Sequence, residues 1–93
     1  MEQTDLKSLC EKEKQRTEFA LNEVSLTEKD KKSAEDLLNL IKSYFKDALY
    51  FYEKENFLES FELFSYLWGL LDAGARLNLF NPNNAKKHFK IEQ

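Results

Sequence analysis

The sequence predicts an all-α fold, an up-and-down three-helix bundle with a short C-terminal tail, on three observations. Two glycines and one proline in 93 residues leave little turn material, so the chain must consist of a few long segments. Apolar residues recur at helical spacing in three successive stretches. The third stretch is apolar around most of its circumference and needs cover on more than one side. The helices are expected at about residues 5–24, 28–55 and 57–79. Residues 1–80 would then form one bundle domain, and 81–93 the tail.

In the first helix Leu6, Leu9, Cys10, Thr17, Ala20, Leu21 and Val24 form a thin seam, interrupted by Glu13 and Arg16. Thr4 or Asp5 is its expected N-cap. A helix with so narrow a seam owes its order to packing. Ser25-Leu26-Thr27 makes the first break. Thr27 with Asp30, or Ser33 with Asp36, resembles a capping arrangement opening the second helix. That helix carries Ala34, Leu37, Leu38, Ile41, Phe45, Ala48, Leu49 and Tyr52 in one stripe, widened at one edge by Leu40, Tyr44 and Phe51. Lys42, Ser43, Lys46, Tyr50 and Glu53 lie opposite.

Asn56 is placed to end the second helix and, with Glu59, to cap the third. So short a connection makes an antiparallel hairpin. Along the third helix Phe57, Phe61, Phe64, Trp68, Leu71, Ala75 and Leu79 form one stripe. Leu63, Tyr66, Leu67, Leu70 and Leu77 form a second, edged by Ala73 and Gly74. Glu62, Ser65, Gly69, Asp72 and Arg76 are the wedge left for water. Asn81-Pro82-Asn83-Asn84 stops the helix, and the tail offers Phe89 and Ile91 for docking onto the bundle.

The composition excludes several function classes. With 33% charged residues and a mean hydropathy of -0.66, no apolar run approaches the roughly 20 residues of a membrane span. Met1 to Cys10 contain no apolar core of a secretory leader, and a single cysteine fits a reducing compartment, so a cytoplasmic location is expected. Cys10 is expected to pack rather than react. The net charge of -3, with both signs interspersed, argues against a nucleic-acid binder. The exception is the tail, where Lys86, Lys87 and Lys90 face only Glu92. One histidine and one cysteine cannot furnish a zinc or di-iron centre. No nucleophile elbow or phosphate-cradling glycine loop occurs. The expectation is therefore a non-enzymatic protein with no catalytic, cofactor-binding or metal-binding residues and no cofactor.

Two features of the third helix suggest a surface in use. Each glycine costs about 1 kcal/mol relative to alanine in a helix interior. Ser65, Gly69 and Ala73, spaced by four, make a small-residue track suited to a close helix contact within the bundle or between subunits. The candidate interface and packing residues are Leu63, Ser65, Tyr66, Leu67, Gly69, Leu70, Ala73, Gly74 and Leu77. Asp72 and Arg76 form an i, i+4 pair in the favourable order, and Asp47 of the second helix is a candidate third member of a polar cluster. His88 is expected to be an ordinary exposed or docked side chain.

Tyr44, Asp47, Ala48 and Phe51 fit a Tyr-x-x-Asp-Ala-x-x-Phe segment, and Tyr66, Gly69, Leu71, Asp72, Ala73 and Gly74 fit Tyr-x-x-Gly-x-Leu-Asp-Ala-Gly. Over about residues 34–80 the chain thereby resembles the family of short archaeal proteins known as domain of unknown function 357. The resemblance implies a three-helix bundle, archaeal and intracellular, with no established activity. It also implies that Asp47, Gly69, Asp72 and Gly74 are signature positions. A weaker likeness runs to helical-hairpin repeats and to helical domains that accompany nucleotidyltransferases and some ribonucleases. The Arg-then-His pairing of those ribonucleases has no counterpart after Arg76, since the next histidine is His88.

Three partners fit these observations. A second copy would form a homodimer through helix 57–79. A different protein's helix could lie on a monomeric adaptor. Nucleic acid could meet the tail lysines.

Overall fold

The computed structural model describes residues 3–89. Helix α1 runs Gln3–Glu23, α2 Lys31–Glu53 and α3 Phe57–Arg76. A two-residue strand β1, Ser25–Leu26, pairs antiparallel with β2, Phe80–Asn81, and a 3-10 helix follows at Asn83–His88. The chain is the predicted all-α bundle, with this small bridge across one end.

The helix boundaries follow from local chemistry. Helix α1 already includes residues 3 to 5, so neither Thr4 nor Asp5 caps it. Asp30 is the N-cap of α2, where its carboxylate accepts from Ser33 N at 3.1 Å and from Ser33 Oγ at 2.8 Å. Those bonds hold the Asp30 carboxyl below its usual range. The capping residues were thus both in view in the sequence, but they pair with each other, and α2 starts three residues later than expected.

Both C-termini close in the same way. Glu55 and Asn78 take left-handed φ values of 62° and 63°. Glu55 N then bonds Tyr52 O and Asn56 N bonds Phe51 O, while Asn78 N bonds Ala75 O and Leu79 N bonds Gly74 O. This is the paired pattern of a Schellman motif. It ends α3 at Arg76, three residues before the expected position. Asn56 precedes α3 as expected, yet its side chain makes no capping bond. Its backbone is already committed to closing α2, so the connection is one continuous reversal from Lys54 to Asn56.

The hairpin register is read from four contacts. Ser60 Oγ donates to Ala48 O at 2.8 Å, Phe45 packs on Phe64, Tyr44 on Tyr66, and Leu37 stands beside Gly74. Helix α1 packs chiefly against α3 and little against α2. Its link runs from Cys10 Sγ, which donates to Phe57 O at 3.1 Å, to Thr17, whose hydroxyl accepts from Trp68 Nε1 at 2.8 Å. The core is Phe64, Leu67 and Leu71 of α3 with Ile41, Ala34 and Ala48 of α2 and Ala20 of α1. Phe64, Trp68, Leu71 and Ala75 of the first apolar stripe of α3 and Leu67 of the second therefore line the core.

The segment after α3 completes the fold. Phe80, Ala85 and Phe89 are buried in the same core. Asn83 Nδ2 donates to Glu23 O at 2.8 Å, and Asn84 N donates to Glu23 Oε1 at 3.1 Å, so the turn satisfies the end of α1. Lys29 Nζ and the Thr27 hydroxyl do the same for α3 through Leu77 O and Asn78 O. Phe89 docks; Ile91 and Lys90 lie outside the described residues.

Candidate interaction surface

With α1 on one flank of α3 and α2 on the other, the remaining face of α3 is open among the described residues. Of the candidate residues, Leu67 and Gly74 are buried, Leu63 and Leu70 half-buried, and Ser65, Tyr66, Gly69, Ala73 and Leu77 exposed. The second apolar stripe is thus split. Its inner members close the α2–α3 seam, and Tyr66 and Leu77 remain 55% and 57% exposed. Leu58 on the same helix is 57% exposed, and Leu40 of α2 is 44% exposed. Tyr66 stands edge-on to Tyr44 with ring centroids 5.1 Å apart. Beside it is a shallow depression of about 420 Å³ lined by Phe51, Glu59, Glu62, Leu63 and Tyr66.

The two glycines separate sharply. A Cβ on Gly74 would fall 2.5 Å from Phe80 Cδ2, closer still to Cε2, and 3.2 Å from Leu37 Cδ2. Only hydrogen fits there, because the β2 strand folds Phe80 back over the end of the helix. A Cβ on Gly69 would meet nothing within 4 Å. Among the described residues no helix packs on the Ser65–Gly69–Ala73 track at Gly69.

Asp47 stands apart from the other two members of the candidate polar cluster. Asp72 is half-buried and Arg76 exposed, both with interaction partners. Asp47 does not reach them. Tyr44 opposite Tyr66 and Ala48 opposite Ser60 put Asp47 level with residues 61–63, roughly 15 Å along the helices from Asp72 at 1.5 Å per residue. An antiparallel hairpin separates these two acids.

A second polar cluster, which the sequence reading did not single out, lies on the α1 side of α3. The Arg16 guanidinium lies 3.8 Å from the Trp68 ring centre, is paired with Glu13 at 2.6 Å, and donates from Nη1 to His88 O at 3.1 Å. His88 in turn stands edge-on to Phe19 and Trp68. These residues border a cleft of about 280 Å³ completed by Ser65, Gly69 and Asp72. Partial burial, with Lys87 and Arg16 nearby, lowers the His88 pKa from its usual value. The signal was present: Glu13 and Arg16 interrupt an apolar seam that must face Trp68. What the cluster does structurally is clasp the C-terminal segment to α1 and α3.

Elsewhere the chemistry is quiet. Burial pushes the Cys10 thiol up, away from the thiolate. Tyr52, whose hydroxyl donates to Glu11 at 2.7 Å, is raised to about 12 by desolvation and that bond. Among the described residues no group of His, Cys, Asp and Glu could hold a metal ion, and no helix is long and apolar enough to cross a membrane.

Neither the curated proteins nor the solved structures contain a match to this chain. The family model described as "Protein of unknown function (DUF357)" matches residues 12–80, from the third turn of α1 to the strand that packs on Gly74. That span takes in all of α2 and α3 and both motif segments, and the chain belongs to this family.

Proposed function

We propose that this protein is a non-enzymatic interaction scaffold that self-associates through the open face of α3 and the adjoining edge of α2. The observation that carries the reading is the exposure of Tyr66, Leu77 and Leu40 along one continuous side, next to the shallow depression at Phe51 and Leu63. Apolar patches of this kind on a small domain mark interaction sites. A domain of 93 residues also gains much from a partner, since its surface is large for its core. The setting we infer is a reducing intracellular one, supported by a single thiol that is fully buried.

Sedimentation equilibrium tests the reading. The parent protein is expected to sediment as a dimer at tens of micromolar, and Tyr66→Lys as a monomer with an unchanged helical circular-dichroism spectrum. Losing Tyr66 from the centre of such a contact would cost about 2 kcal/mol or more, over tenfold in Kd. A monomeric parent, or a variant as dimeric as the parent, would contradict it.

A further inference from the structure

We draw no further inference here: the strongest candidate, the cleft of about 280 Å³ that Arg16 and His88 border between α1, α3 and the C-terminal segment, belongs to the clasp already described, with Arg16 paired to Glu13 and bonded to His88 O, and nothing in the structure shows what would fill it.

Discussion

At the scale of single residues, the two glycines make opposite predictions although both sit inside one helix. Gly69→Ala is expected to raise the stability of the dilute monomer by about 1 kcal/mol, because it restores helix propensity and meets no neighbour. Gly74→Ala is expected to lower it by about 1–3 kcal/mol, because the new methyl displaces Phe80. Thermal melts of both variants check the contrast, and two shifts of the same sign would contradict it. A third position can be improved: Glu55 holds a φ of 62° that glycine occupies without strain. Glu55→Gly should raise stability by about 0.5–1 kcal/mol in the same melts, because the left-handed strain outweighs the added freedom of the unfolded chain. The sequence singled out both glycines, but it could not distinguish them. The strand residue that fills the space above Gly74 comes six residues later, after a reversal that helical spacing does not encode.

At the scale of elements, the docking of Asn83–His88 is the feature with a pH dependence. His88 faces Glu13 and Arg16 of α1, Trp68 and Asp72 of α3, and Lys87 of its own segment. Its pKa is lower in the folded state than the ordinary value near 6.5. The undocked state therefore binds the proton more readily. Docking is fully present above about pH 6.5 and weakens as the pH falls through that value toward the folded pKa. Fluorescence of Trp68, the only tryptophan, should report this loosening on acidification, and His88→Gln should flatten the response between pH 7 and 5. Tighter docking on acidification would contradict the assignment. The three helices themselves were legible because a 3.6-residue period persists over twenty residues in each. The β1–β2 bridge was not, since two residues have no period, and the docked segment was visible only as Phe89 in search of a core. The stop of α3 at Arg76 was hidden for a similar reason: Leu77 and Leu79 continue the apolar pattern, while Asn78 reverses the backbone between them.

At the scale of the molecule, α3 serves two surfaces at once. Phe64, Trp68 and Leu71 face inward and organise α1, α2 and the C-terminal segment around one core. Tyr66, Gly69, Ala73 and Leu77 are exposed, and among the described residues none comes within 4 Å of a Cβ placed on Gly69. The expectation of a double-sided helix came from its composition. Which residues fell on which side needed the hairpin register, and that same register separates Asp47 from Asp72. Leu77→Glu, which puts a charge on the exposed face of α3, should dissociate the proposed dimer without altering the monomer's melting temperature. The most direct measurement of the central claim is the mass of the parent protein in solution at tens of micromolar. Self-association through α3 predicts twice the 11.1 kDa of the chain, falling toward the monomer on dilution. A mass of one chain throughout that range would contradict it.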